Sequence, residues 1–194
     1  MKILVRALTA LGALSAILAL VILIVVGPAL TRGLSTREKP SGIETLSARA
    51  LRRFAMPSQQ KELRNPLTAT TEVLASARAH WADHCAGCHA NNGSGATEIG
   101  RNLYPPAPDM RLAVTQELSD GALYSTIKNG VRLTGMPAWG KPGDDDRETW
   151  ALVTFIRHLP KLSAEEEKQM QGMNPVSPHE RDEDQEEQRF LNGE

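Results

Sequence analysis

The longest uninterrupted apolar run in the chain lies near its start. Residues 7–30 read ALTALGALSAILALVILIVVGPAL without a single charge, and Lys2 and Arg6 precede them. About 20 apolar residues at 1.5 Å each cross the hydrocarbon core of a bilayer, so the pattern predicts a transmembrane helix within residues 1–30. A secretory signal peptide also begins with a basic end, but its apolar region is shorter, roughly 7–15 residues, and a small-residue cleavage site follows. Gly27-Pro28-Ala29 makes a poor cleavage site, which favours an uncleaved anchor.

Beyond the run the pattern changes. Gly33, Ser35, Pro40, Ser41 and Gly42 have the composition of a linker. Residues 43–55, IETLSARALRRFA, put Ile43, Leu46, Ala50, Leu51 and Phe54 on one side at helical spacing. A short basic amphipathic helix and a linker that orders only against a partner both fit. Pro57 and Pro66 then interrupt the chain. Helical character returns over 71–84, starting at Thr70 or Thr71 with Glu72 in the first turn. Residues 90–118 read as irregular, with Gly93, Gly95, Gly100, Pro105, Pro106 and Pro108. Ser119 predicts an N-cap for a helix over 120–129 that stops at Asn129-Gly130. After a loop over 131–143, a last helix starts in the run Asp144-Asp145-Asp146, whose carboxylates suit the exposed N–H groups of a helix start. Trp150, Val153, Ile156 and Leu159 recur every three residues, flanked by Leu152 and Phe155, and Pro160 ends the helix. No segment sustains strand alternation. The expected fold is all-α, a few helices and long loops over 71–162, preceded by one transmembrane helix and a linker over 31–70.

Charge sharpens this division. Residues 1–66 hold ten Lys/Arg against three Asp/Glu, residues 67–162 nine against ten, and residues 163–194 three against ten, which accounts for the net charge of -1. The chain is thus expected to have a basic arm, a near-neutral domain and an acidic, solvated, disordered tail over 163–194. Because the basic arm follows an apolar span, anionic lipid headgroups rather than nucleic acid are its expected neighbours. The middle segment is small and the chain only 4% aromatic, so its apolar core is marginal and a large buried cofactor would relieve the shortage. The two cysteines offer no disulfide framework.

Those two cysteines carry the chemistry. Cys85-Ala86-Gly87-Cys88-His89 is the Cys-x-x-Cys-His pattern that attaches c-type haem. On a helical turn, thiols at i and i+3 lie on one side, where each can bond one vinyl group, and the next residue offers an imidazole to the iron. Zinc would want four ligands, commonly from two such pairs, and a thioredoxin-type pair would follow a strand; both readings remain open at the level of the pentapeptide. A methionine in the sixth position would raise the reduction potential and close the iron to other ligands. Met56, Met110, Met136, Met170 and Met173 are available. Met136 stands between Gly135 and Pro137 in a loop, 47 residues after His89, where Gly permits close backbone approach and Pro fixes it. His80, His84 and His158 are its rivals; the first two precede Cys85 too closely to reach the opposite face.

Residues 71–160 resemble the class I cytochrome c domain of many small bacterial cytochromes. Ala77 and Trp81, eight and four residues before Cys85, stand where the family has a small residue and an aromatic on its first helix; Ala77 replaces the usual glycine. Leu152 and Phe155 match the leucine and aromatic of its last helix, which crosses the first. Ala107-Pro108-Asp109-Met110 resembles a Gly-Pro-Asn-Leu segment whose proline carbonyl accepts the proton of the ligating histidine. The resemblance gives that role to Pro108, with Pro105 and Pro106 as rivals. Ile127-Lys128-Asn129-Gly130-Val131 and Gly135-Met136-Pro137-Ala138-Trp139 resemble the approach to the axial methionine. Trp139 and Tyr104 are candidates to line the haem or reach its propionates, as are Arg101 and Arg132.

The resemblance implies one covalently attached haem c, with thioether bonds from Cys85 and Cys88, iron ligands His89 and Met136, and contacts from Pro108 and Trp139. It also implies a non-enzymatic carrier of single electrons between protein redox partners. Haem attachment of this kind is extracytoplasmic in bacteria, which orients a single-pass protein of the cytoplasmic membrane with its haem domain in the periplasm. Loop charge alone leaves the orientation nearly tied. A haem-based gas sensor and a haem subunit of a larger oxidoreductase are the alternatives.

Overall fold

A computed structural model describes residues 2–32, 35–141, 146–176, 186 and 188–192. Gly33, Asp144, Asp145 and much of the expected acidic tail lie outside the described residues. The chain divides into two units, Met1–Glu38 and Lys39–Glu194. The first is helix α1 (Lys2–Arg32). Its stretch Lys2–Ile24 is long and apolar enough to cross a membrane, although a signal sequence at the same place would meet that test as well.

The second unit holds α2 (Gly42–Ala55), α3 (Ser58–Glu62), α4 (Thr71–His80), α5 (Ala86–His89), α6 (Glu98–Asn102), α7 (Ala113–Gln116), α8 (Asp120–Asn129), α9 (Arg147–His158) and α10 (Ala164–Gln171). Among the described residues there is no strand. The caps are those that the side chains dictate. Thr70 Oγ1 accepts from the Val73 N–H at 3.3 Å, Ser119 Oγ from the Ala122 N–H at 3.2 Å, and Asp146 Oδ1 from the Thr149 N–H at 3.1 Å. Each satisfies one of the amides that a helix start leaves without an intrahelical partner. Gly130 ends α8 at φ +66°, a conformation glycine adopts without steric cost.

The core forms where α4 crosses α9. Ala77 and Trp81 bury against Leu152, Phe155 and Ile156, all at most 2% exposed. The Trp81 and Phe155 rings tilt at 56° with centroids 5.5 Å apart. Side chains of this size contribute about 1.5–3 kcal/mol each on burial. With Ala77 in place of glycine the two helices still close onto each other, because its methyl group fits the crossing. Tyr124 of α8 stacks on Trp150 of α9 at 4.0 Å.

Three features lie beyond the sequence pattern. Helix α4 does not run unbroken to residue 84; it passes into a π-helical turn over Trp81–Cys85. The stretch 90–118 contains two short helices, α6 and α7, and Thr97 caps the first through the Gly100 N–H at 2.8 Å. The packed unit also extends past both of its expected ends. On the N-terminal side, Asn65 Nδ2 donates to the Trp150 carbonyl at 3.0 Å and to Thr154 Oγ1 at 2.9 Å, and Ser125 Oγ donates to Gln60 Oε1 at 2.7 Å. Past residue 162, α10 inserts Met170 into the core at 0% exposure. Glu166 of α10 meets His158 Nε2 at 2.9 Å and Arg78 at 3.4 Å. The start of the acidic segment is therefore helical and packed on the domain through Met170 and Glu166.

Candidate functional site

The π-helical turn delivers the cysteine pair. Widening the helix over Trp81–Cys85 shifts the register of the next turn, so Cys85 closes the wide turn and α5 presents Cys88 and His89 from a short helix of its own. Such insertions recur at functional sites. His89 closes α5, and Ala90 directly after it adopts φ +61°. A residue with a Cβ is unfavourable there by about 1–3 kcal/mol. Three bonds hold it in place: its N–H donates to the Ala86 carbonyl at 2.8 Å, and its carbonyl accepts from the Gly93 N–H at 3.1 Å and from Trp81 Nε1 at 3.0 Å. Trp81 thus serves twice, as core filler and as the clamp on the residue after His89. Its ring also lies 5.8 Å from the imidazole.

Further bonds lock the turn. Thr97 Oγ1 donates to the Cys88 carbonyl at 3.1 Å, and the Gly95 N–H donates to the His89 carbonyl at 2.9 Å. A Cβ on Gly100 would strike the Cys88 carbonyl, and one on Gly95 would strike the Ala107 carbonyl and lie 3.1 Å from that of Pro108. The Pro108 segment is therefore pressed against the turn after His89. Its carbonyl does not receive a hydrogen bond from the imidazole, because His89 Nδ1 is buried without a partner among the described residues.

The donor set suits haem c. Both thiols are free and half-buried, as two independent thioether bonds require. Burial pushes the Cys85 thiol up to about 12, with a further rise from Cys88, so it stays protonated at neutral pH. Burial likewise pushes His89 down to about 4. The imidazole is therefore neutral at pH 7, the form in which a ring nitrogen ligates metal. The orphaned Nδ1 leaves one ring nitrogen in want of an acceptor, the arrangement in which a second bond orients a ligating ring.

Met136 sits half-buried in a loop folded back on the end of α8. The Val131 N–H donates to the Met136 carbonyl at 3.0 Å, the Trp139 N–H to the Ile127 carbonyl at 3.1 Å, and the Gly140 N–H to the Lys128 carbonyl at 3.1 Å. Gly130 makes the reversal possible: a Cβ there would come within 2.6 Å of the Pro137 carbonyl carbon. Trp139, 39% exposed, meets His84 edge-on with ring centroids 5.5 Å apart. The loop thus returns to the residue that precedes Cys85, a contact that Trp139 and His84 do not advertise in the sequence.

The remaining candidates are engaged elsewhere. His158 pairs with Glu166. The Tyr104 hydroxyl donates to Glu44, and that bond is the main reason its pKa rises to about 12. Arg101 donates to the Ala96 carbonyl at 2.8 Å, and Arg132 is exposed.

Residues 72–156, somewhat under half of the chain, match the family model described as cytochrome c oxidase, cbb3-type, subunit III. No curated protein matches this chain.

Proposed function

Since residues 72–156 form a monohaem class I c-type cytochrome domain, whose family carries covalently attached haem c for electron transfer, we propose that this chain is a membrane-tethered carrier of single electrons at the periplasmic face. Residues 7–30 anchor it, and its partners are redox proteins in or on the same membrane. The observation that carries this reading is the neutral, buried His89 with an unpaired Nδ1, directly following two free thiols.

In the proposed site Cys85 and Cys88 would hold the group by thioether bonds, and His89 and Met136 would ligate its iron. The Pro108 carbonyl, pressed against the turn after His89, would accept the Nδ1 proton once the group is bound, and Trp139 would pack at its edge. Haem c supplies a one-electron ferric–ferrous couple when bound. The chain supplies rigidity: the bonds around Cys88, His89 and Ala90 restrain the turn, which keeps rearrangement between oxidation states small. The core of Trp81, Leu152 and Phe155 excludes water from the histidine side. A methionine in the sixth position discourages ligand chemistry at the iron. The cbb3-type description of the matched family favours a second reading, in which the domain works as a subunit of a membrane oxidase.

Visible spectra of the oxidised and reduced protein, with and without carbon monoxide and before and after acid–acetone extraction, test the proposal. The expected result is haem that resists extraction and a low-spin spectrum that carbon monoxide leaves unchanged. Met136→Ala should keep the covalent haem, lower the potential and admit carbon monoxide. Unchanged potential and ligand access in that variant would assign the sixth position to another residue.

A further inference from the structure

Helix α2 is built but has nothing to cover it. Ser41 Oγ accepts from the Glu44 N–H at 3.2 Å, and the Glu44 carboxylate accepts in return from the Ser41 N–H at 3.4 Å, a complete capping box. Yet α2 buries no side chain. Ile43, Leu46, Leu51 and Phe54 are 68–85% exposed. A helix of this length is marginal in water, and in proteins its stability comes from packing an apolar face. Helical spacing puts these four side chains and Ala50 on one side. Arg52 falls opposite them and Arg49 and Arg53 flank the apolar side, and among the described residues none of the three pairs with a carboxylate. The one acid of the helix, Glu44, is taken up by the cap and by Tyr104.

We propose that α2 lies on an anionic bilayer surface, with Ile43, Leu46, Leu51 and Phe54 sunk into the headgroup–acyl boundary and its arginines on lipid phosphates. This rests on the reading of residues 7–30 as a membrane anchor. Three observations select lipid as the occupant. An apolar face backed by cations alone is the make-up of an interfacial helix. Arginine forks match phosphate geometry. The chain between Arg32 and Gly42 is short enough, at most roughly 35 Å fully extended, to keep α2 within reach of the surface from which the span emerges.

Docking has a mechanical consequence. Both ends of α2 are tied to the haem domain, through Glu44 to Tyr104 and through Lys61 Nζ to the Arg53 carbonyl. A bilayer that holds α2 therefore holds the haem domain in one orientation, with the Tyr104 loop on the membrane side. The domain does not then swing on a 40-residue tether; α2 acts as a clamp, and electron exchange is confined to partners that meet the domain in that pose.

The test uses the full haem-loaded chain in bilayers of phosphatidylcholine and phosphatidylglycerol. Single nitroxides are placed by Leu14→Cys, Arg52→Cys or Phe54→Cys, none of which removes a buried side chain. Accessibility to oxygen, which concentrates in lipid, is compared with accessibility to an aqueous nickel chelate. The proposal expects the Leu14 and Phe54 labels in lipid and the Arg52 label in water. Reversing Arg49, Arg52 and Arg53 to Glu should shift the bound-to-free ratio of the Phe54 label by at least roughly fivefold per arginine, on the order of a hundredfold in all. A Leu14 label in lipid with a Phe54 label in water overturns the docking and leaves the anchor standing. A Leu14 label in water removes the anchor and the docking together. A Phe54 label shielded from both reagents overturns the proposal in favour of a protein partner, and insensitivity to the arginine reversal removes the phosphates from it.

Discussion

The two sides of the proposed haem site are built to different standards. On the histidine side, Trp81, Ala82, Ala86 and His89 are buried, and side chains as well as backbone fix the turn: Trp81 on Ala90, Thr97 on Cys88, Gly95 on His89. On the methionine side, Met136 is half-buried between exposed neighbours, and its loop is held by backbone bonds to the end of α8, by Thr134 Oγ1, which accepts from the Met136 N–H and donates to the Val131 carbonyl, and by one edge contact from Trp139. The first arrangement is over-determined; the second can let go one bond at a time. Local stability follows buried contacts rather than hydrogen-bond count, so the methionine side should open first. That suits a domain that must keep its group permanently on one side and tune it on the other.

Cys88→Ser gives the largest contrast. It removes one of only two thiols, so the expected outcome is a single thioether at best or no stable holoprotein, read as haem retained after acid–acetone extraction. Unaltered covalent haem would refute the assignment of the motif. Trp81→Phe keeps most of the core volume but strips one of the two donors from the Ala90 carbonyl. The Gly93 N–H still donates to that carbonyl at 3.1 Å, so the lost bond and the smaller ring together should cost about 1–3 kcal/mol in urea unfolding and lower the holoprotein yield. Gly130→Ala attacks the other side. The new Cβ meets the backbone at Pro137 in a left-handed conformation, so about 1–3 kcal/mol should be lost. Haem should stay attached while carbon monoxide gains access. If Gly130→Ala instead lost the haem while Trp81→Phe only opened the iron, the ranking of the two sides would be inverted.

Much of this contrast was readable in the sequence because local chemistry carries it. Thr70, Ser119 and Asp146 act through their own side chains on amides three residues ahead, and Gly130 stops α8 as its lack of a Cβ allows. The start at Thr70 with Glu72 marked α4 and apolar spacing marked α9, and the pairing of Ala77 and Trp81 with Leu152 and Phe155 was legible through resemblance. Other features depend on tertiary contacts. The π-helical turn at Trp81–Cys85 is a register adjustment that leaves periodicity nearly unchanged. Docking of α10 turns on Met170, which looks like any residue of a charged segment until its neighbours are known. Asn65 reaches α9 across 85 residues of chain, so composition marked it as linker although packing makes it part of the domain. The orphaned Nδ1 of His89 has no sequence signal either, since the segment around Pro108 had to fold first.

Asp146 joins the methionine loop to the core, and its charge makes the link testable by pH. Its carboxylate accepts from the Thr149 N–H at 3.1 Å, from Thr149 Oγ1 at 2.7 Å and from the Lys141 N–H at 3.1 Å. Burial alone would raise its pKa, but these three donors outweigh that penalty and hold the group below its ordinary 3.8. A carboxyl whose folded value is depressed contributes stability that is complete above the unfolded value and disappears as pH falls through the folded one. Asp146→Ala should therefore cost about 1–2 kcal/mol at pH 7, the scale of a lost N-cap, and the gap to the wild type should narrow below pH of about 4. Asp146→Asn retains an acceptor for the Thr149 amide but carries no charge, so its deficit should be smaller at pH 7, and below pH of about 4 its stability should meet or exceed that of the wild type. Urea unfolding of the three proteins from pH 3 to 7 reads both effects. A gap that stays constant over that range would mean that the bond geometry at Asp146, and not its charge, ties Lys141 and the methionine loop to α9.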